Sequence, residues 1–242
     1  MKKNRMMRLA SGLLVAVLLS TCTISGTFAK YVTTNGGADN ARVAKFGVQI
    51  NVSDDLGLFD TAYEKDDADY ENTLSVLSQT TDQVVAPGTK GSMSFNITGM
   101  PEVATRVSID FGSETGAIQL PVGTYTLPAG AFVAEEKTVT TTAVYEPIKF
   151  YFGTTEISDS TVYSMTLEQL QTEMTTTFTQ DYDPGHNFGE NGTTYYLGWC
   201  WAFEDNSVAN VNFLDTYLGY EAATSTARNE ILDFDITVTQ ID

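Results

Sequence analysis

Apolar and polar residues alternate in several segments of this 242-residue chain. A two-residue period puts the apolar side chains on one face of an extended segment, which predicts half-buried β-strands. Five segments have this alternation: 46–52, 92–97, 103–111, 195–203 and 232–238. The fourth is predicted to be a central core strand, because its apolar face is the most aromatic. That face carries Tyr195, Leu197, Trp199, Trp201 and Phe203.

Short connections predict how some of these strands pair. Gly99, Met100 and Pro101 lie in the short link between segments 92–97 and 103–111, so we expect these two to form an antiparallel pair. Other β-branched and aromatic runs are interrupted by proline and glycine and predict short strands. These runs are 117–127, 132–133, 137–145 and 148–152.

One segment has the period of an amphipathic helix. Thr166 and Gln169 have the spacing of a capping box, which predicts a helix that begins here. Its apolar residues recur at helical intervals and predict that it covers the sheets as a lid. They are Leu167, Leu170, Met174 and Phe178. A second, short helix is predicted at 214–223.

About eight short strands with local turns predict a mainly β protein. The expected architecture is an antiparallel β-sandwich of jelly-roll type with one or two short helices. We predict a signal peptide at 1–29, a flexible N-terminal segment at 30–40 and a single β-sandwich domain over 41–242.

The first 29 residues have the three-part layout of a secretory signal peptide. A basic start is followed by the apolar run 9–19, which is too short for a permanent membrane span, and by a small-residue exit at Ala29. We therefore predict cleavage between Ala29 and Lys30 by a signal peptidase, and a secreted or cell-surface location. An alternative is processing as a lipoprotein at Cys22.

Removal of the signal peptide makes the chain more acidic. The full chain has 13 basic and 31 acidic residues. Four of the basic residues and none of the acidic ones precede Lys30, so 9 basic residues remain and the formal charge is −22. This charge repels nucleic acid and anionic membranes and argues against both as partners.

Residues that could carry catalysis are few. His186 is the only histidine, so the paired histidines of zinc peptidases are absent. Cys200 is the only cysteine beyond the signal peptide, which excludes a disulfide within the mature chain. A Cys200–His186 nucleophile and base pair is an alternative, but a cysteine between two tryptophans on a core strand usually serves as a small buried hydrophobe. We predict no enzymatic activity and no catalytic residues.

The segment 54–72 carries eight acidic residues and one lysine. This composition predicts a long acidic surface loop or a short helical excursion. Calcium is the alternative occupant, since hard cations bind several carboxylate oxygens, but the residue order of an EF-hand loop is absent. We expect no cofactor.

Several separate stretches together resemble one family, the TasA/camelysin-type exported proteins of Gram-positive bacteria. They are GTFAKY (Gly26–Tyr31), ARVAKFGV (Ala41–Val48), VVAPGTKGSMSFNITGMPEV (Val84–Val103), GWCWAFEDN (Gly198–Asn206), LDTYLG (Leu214–Gly219) and the terminal ITVTQID. The resemblance implies a jelly-roll domain that is exported through a dedicated signal peptidase and deposited as a biofilm-matrix or surface fibre.

In such fibres the freed N-terminal segment of one subunit pairs as a donated strand with the next subunit. On this chain the resemblance implies a donor strand made of Lys30, Tyr31, Val32, Thr33 and Thr34, tethered by Asn35, Gly36 and Gly37. The alternative is that residues 30–40 are a frayed terminus. The expected partner is therefore a second copy of the chain, in a head-to-tail homopolymer.

The leading hypothesis is a secreted, non-enzymatic structural subunit. Two rival functions stay open. The camelysin branch of the family implies a metal-dependent peptidase, for which His186 is the candidate residue. A monomeric surface module that binds glycan or protein would use aromatics such as Tyr195, Tyr217 or Tyr220, although such residues more commonly pack in the core.

Overall fold

The computed structural model describes residues 32–35, 48–51, 57–66, 72–113, 116–130, 132–157, 163–205, 208–225 and 227–241. The predicted signal peptide lies outside these residues. The described strands are β1 (Val32–Asn35), β2 (Val48–Asn51), β3 (Ala62–Tyr63), β4 (Val76–Leu77), β5 (Lys90–Gly99), β6 (Thr105–Phe111), β7 (Thr124–Leu127), β8 (Lys137–Thr140), β9 (Ile148–Gly153), β10 (Gln180–Tyr182), β11 (Gly189–Trp201) and β12 (Phe234–Gln240). The described helices are α1 (Leu167–Phe178) and α2 (Val211–Thr224).

Two four-stranded antiparallel sheets carry most of the core, which confirms the mainly β class. The first sheet has the order β1-β12-β6-β10 and the second has the order β2-β5-β11-β9. Phe95 of β5 and Phe234 of β12 bring their rings to 6.1 Å between centroids, so the two sheets contact each other through apolar side chains. The pairs β3-β4 and β7-β8 form two further short ribbons.

The predicted pairing of segments 92–97 and 103–111 is wrong. β5 pairs with β2 and β11, whereas β6 pairs with β12 and β10, so the short link crosses from one sheet to the other. Both strands have an apolar face, with Phe95 buried on β5 and Val107 buried on β6. Strands in separate layers direct both of these faces into one shared core.

The predicted core strand is confirmed as β11, which lies between β5 and β9. Leu197, Trp199 and Trp201 are all buried. Phe203 was expected on the same face but is 43% exposed. The strand ends at Trp201, where the backbone exchanges hydrogen bonds with Gly88 and Thr89, and the alternating pattern stops there.

Helix α1 begins where the capping box predicted. The Thr166 side chain accepts from the backbone of Gln169, and the Gln169 side chain accepts from the backbone N–H of Thr166. Leu170, Met174 and Phe178 are buried, and the helix packs against β6 and β9. The prediction of a covering helix is therefore confirmed.

The acidic segment is neither a helix nor a purely solvated loop where the structure describes it. Ala62–Tyr63 forms the short strand β3, which pairs with β4. The Trp199 indole N–H donates to the backbone oxygen of Leu58, and the rings of Phe59 and Tyr63 pack on the same indole. A buried tryptophan of β11 thus anchors this segment to the second sheet.

Candidate functional site at the edge of the first sheet

Strand β1 lies at one edge of the first sheet, where it pairs antiparallel with β12. The register joins Val32 to Thr239, Thr33 to Val238, Thr34 to Thr237 and Asn35 to Ile236. The N-terminal segment therefore completes the sheet of its own chain through main-chain hydrogen bonding.

The sequence of β12 accounts for this edge. Phe234, Ile236 and Val238 are buried and alternate with more exposed residues, so one face of the strand belongs to the core. On one side all seven residues of β12 pair with β6. The main-chain groups on the other side form the edge that β1 occupies. The outer side of such a strand is the usual acceptor for an added strand, because its main-chain groups pair with an extended segment without regard to side-chain identity.

The predicted donor residues divide between two parts of the chain. Val32, Thr33 and Thr34 belong to β1. Asn35, expected in the tether, is the last residue of that strand. Ala29, Lys30 and Tyr31 lie outside the described residues, so the predicted cleavage site stays a prediction.

His186 lies in the exposed loop between β10 and β11. Its ring packs 4.3 Å from that of Tyr182 and 4.6 Å from that of Phe188, measured between centroids. Across the described residues, no group of three or more histidine, cysteine, aspartate or glutamate side chains could hold a metal ion. Parts of the acidic segment proposed for calcium, 54–56 and 67–71, lie outside the described residues.

His186 and Cys200 lie at opposite ends of the same strand ladder. Phe188, two residues after His186, donates its backbone N–H to Gly99 at one end of β5, whereas Cys200 is opposite Lys90 at the other end. Nine residue steps along a strand span roughly 30 Å. Burial also raises the pKa of the Cys200 thiol, which disfavours the reactive thiolate. The two side chains are too far apart to act as a nucleophile and base.

The three tyrosines proposed for glycan binding contribute to packing. Tyr195 stacks between Phe95 and Phe152, and Tyr217 packs on Tyr125 with 4.9 Å between ring centroids. Tyr220 is also partly buried against the core. None of these side chains offers a fully open aromatic face of the kind that sugars stack on.

A buried carboxylate on α2 was not predicted from the sequence. Asp215 is 9% exposed, and its Oδ1 accepts from the Tyr145 hydroxyl and from the Trp201 indole N–H, the latter at 3.1 Å. Burial raises the pKa of Asp215, although both hydrogen bonds act in the opposite direction. The sequence feature that could have revealed its burial is its position between the apolar Leu214 and Leu218, on the inward face of the helix.

Two cavities flank Trp201. One of about 550 Å³ is lined by Tyr145, Cys200 and Asp205 among others, and one of about 880 Å³ by Asp215 and Glu230 among others. Glu230 Oε2 accepts the Ile118 backbone N–H at 2.6 Å. Burial is the main cause that raises the pKa of Glu230 to about 7, with Glu146 adding to the shift and Lys149 opposing it. This carboxyl therefore titrates near neutral pH.

Both cavities are lined partly by side chains that already have structural partners, Tyr145 in the smaller one and Asp215 and Arg228 in the larger one. Asp215 holds α2 to the end of β11, and Arg228 makes a two-point ion pair with Glu221 at 2.6 and 3.0 Å. The β12 edge is the better candidate site, because its main-chain groups already pair with an added strand, β1, and can pair with any extended segment. Among the described residues, no helix is long and apolar enough to cross a membrane.

Comparisons with protein-family models, curated proteins and solved structures found no match for this chain.

Proposed function

We propose that this protein is a secreted, non-enzymatic structural subunit that assembles head to tail into a surface or biofilm-matrix fibre. In this proposal a signal peptidase removes residues 1–29. The N-terminal strand of one subunit then pairs with β12 of the next. The observation that carries the proposal is the four-pair ladder between β1 and β12, since the same edge would accept the same segment from a second copy.

The arrangement of strands supports an assembly of this kind. The first described strand and the last one are neighbours at one edge of a sheet, so donor and acceptor belong to the two ends of one chain. Donation from each subunit to the next is a heterologous contact, and repetition of such a contact yields a filament when the rotation does not close a ring. We further propose that the sandwich is of jelly-roll type, on the basis of its two four-stranded antiparallel sheets.

Removal of the donor segment is expected to abolish fibres. A chain that begins at Lys30 should form filaments visible by negative-stain electron microscopy, and a chain that begins at Ala38 should form no filaments. A matched control keeps the full length but replaces residues 30–34 with glycine and serine, and it should behave as the truncated chain does. Equal polymerisation of the chains that begin at Lys30 and at Ala38 would rule out strand donation.

Assembly is also expected to depend on charge screening. Each mature subunit carries a formal charge of −22, so neighbouring subunits repel each other at low ionic strength. Raising the salt from roughly 10 to 500 mM shortens the Debye length from about 30 Å to a few ångströms and should speed filament growth, as should low pH or divalent cations. Light scattering over time measures the rate.

A charge variant provides the control for this prediction. Glu135 and Glu136 are exposed residues before β8, far along the chain from both β1 and β12. Their replacement by lysine, E135K/E136K, makes the subunit less negative and should speed assembly at low salt with little effect at high salt. A growth rate that is insensitive to salt, pH and divalent cations would contradict the role of repulsion.

A further inference from the structure

We infer that β1 is an internal cap: Val32–Asn35 of the monomer occupies the acceptor edge of its own β12 and must leave before a second copy can bind there. This inference rests on the proposed function, and it names how the site is regulated. The occupant that displaces the cap is the same segment of another subunit.

Pairing of β12 within one chain excludes its pairing with a second copy. An edge of β12 offers one row of main-chain donors and acceptors, and a paired strand uses these groups along the length of its ladder. Ile236 to Thr239 already face Asn35 to Val32 of the same chain. A strand from a second copy needs the same groups, so pairing within a chain and pairing between chains compete for a single place.

The cap is held only weakly by its own hydrogen bonds. Each main-chain hydrogen bond contributes a net free energy of about 1 kcal/mol, whereas ordering a residue costs about 1–2 kcal/mol, so a four-residue edge strand is only marginally stable by itself. Its advantage is that it is tethered: 12 residues join Asn35 to Val48. Tethering through a chain of this length gives an effective concentration of about the millimolar range, which exceeds the concentration of a dilute second subunit.

Exchange of the cap for a donated strand can still be favourable, because a donated strand can pair over more residues. The described ladder covers four of the seven residues of β12. In the same register, Gly36 and Gly37 of a donated strand would lie opposite Asp235 and Phe234. A strand donated between chains pairs with β12 of a different subunit, so its ladder need not be limited to these four residues. Growth then gains pairing at every added subunit, and the main barrier is opening of the cap.

The cap also protects the monomer. Without β1, the main-chain groups of Ile236–Thr239 would form an exposed sheet edge, which is a template for non-specific pairing with any extended chain. A capped monomer stays unassembled during export and until its concentration rises. Assembly of the parent chain is therefore expected to show a lag that ends when open subunits accumulate.

A peptide-binding experiment on the mature chain tests the cap. The probe is a fluorescent peptide of residues 30–37, and fluorescence anisotropy measures its binding. Two prolines in β1, T33P/T34P, remove main-chain N–H groups and should release the cap, while the chain length stays the same. We expect this variant to bind the peptide at least tenfold more tightly than the parent, because the apparent affinity of the parent is reduced by its small open fraction.

A disulfide lock provides the reverse test. Thr34 and Thr237 are opposite each other in the ladder, so T34C/T237C in a C200A background should hold the cap closed when oxidised. The oxidised protein should bind no peptide, and reduction should restore binding to the level of the reduced C200A parent. A peptide that carries the same two prolines is the control and should bind no variant.

The outcomes separate the cap from the fibre. Equal binding by the parent and by T33P/T34P would overturn the cap and leave fibre formation standing. Failure of T33P/T34P to bind the peptide, with its thermal unfolding unchanged, would overturn both the cap and strand donation. Tighter peptide binding by T33P/T34P than by the parent, with no filaments under any condition, would support the cap and refute the fibre.

Discussion

Replacement of Asp215 by alanine is expected to lower the stability of the domain by on the order of 4 kcal/mol. The change removes the shared acceptor of the Tyr145 hydroxyl and the Trp201 indole N–H. Both donors are buried, at 6% and 5% exposure, and an unpaired buried donor costs about 1–3 kcal/mol. For a domain of this size the midpoint of thermal unfolding should fall by roughly 8–16 °C.

Asparagine at the same position is the matched comparison. D215N keeps an oxygen in the place of Oδ1 for both donors and removes the buried charge, so its stability should lie within about 1 kcal/mol of the parent. D110A, on the exposed face of β6, controls for the loss of an acidic side chain. If D215A and D215N lost the same stability, the two hydrogen bonds would not be the source of the effect.

Replacement of Glu230 by glutamine is expected to stabilise the protein at alkaline pH and to change little in acid. The folded-state pKa of Glu230 is raised from 4.5 to about 7, so the folded protein favours the protonated carboxyl. Its contribution to stability is fully present below about pH 4.5 and is lost as the pH rises through 7. The loss is on the order of 3 kcal/mol at pH 8 and above.

Glutamine keeps an acceptor for the Ile118 backbone N–H but cannot ionise. The midpoint of thermal unfolding of E230Q should therefore exceed that of the parent by about 6–12 °C at high pH, and the two should converge near pH 4. E136Q, an exposed carboxylate replacement, should track the parent at every pH. A difference between E230Q and the parent that did not vary with pH would contradict the assignment of this titration to Glu230.

The pH dependence of the fold and that of assembly should therefore be separable. Low pH is expected to stabilise the domain through Glu230 and to speed assembly by neutralising the surface charge of every subunit. E230Q removes the first effect and leaves the second, because it changes one partly buried carboxyl among 31 acidic residues. Filament growth by E230Q should thus keep the acid dependence of the parent.

Local patterns in the sequence were sufficient for the elements that depend on neighbouring residues. The capping box at Thr166 and Gln169 located the start of α1, because both of its hydrogen bonds form within one turn. Alternation identified β11 and β12, since the direction of each side chain along a strand follows from the backbone period. The end of β11 was not predicted correctly, because Phe203 was expected on the buried face. The strand ends two residues earlier, at Trp201, which exchanges main-chain hydrogen bonds with the distant Gly88 and Thr89.

The sequence by itself determined a mainly β protein with a covering helix and, as a prediction, an exported and strongly acidic chain. Only the tertiary structure decided which strands are neighbours. It separated β5 from β6, joined β1 to β12 and brought Tyr145 and Trp201 to Asp215. Strand partners are chosen by which apolar faces can share one core, and this depends on residues far apart in the chain, so no local pattern contains that information.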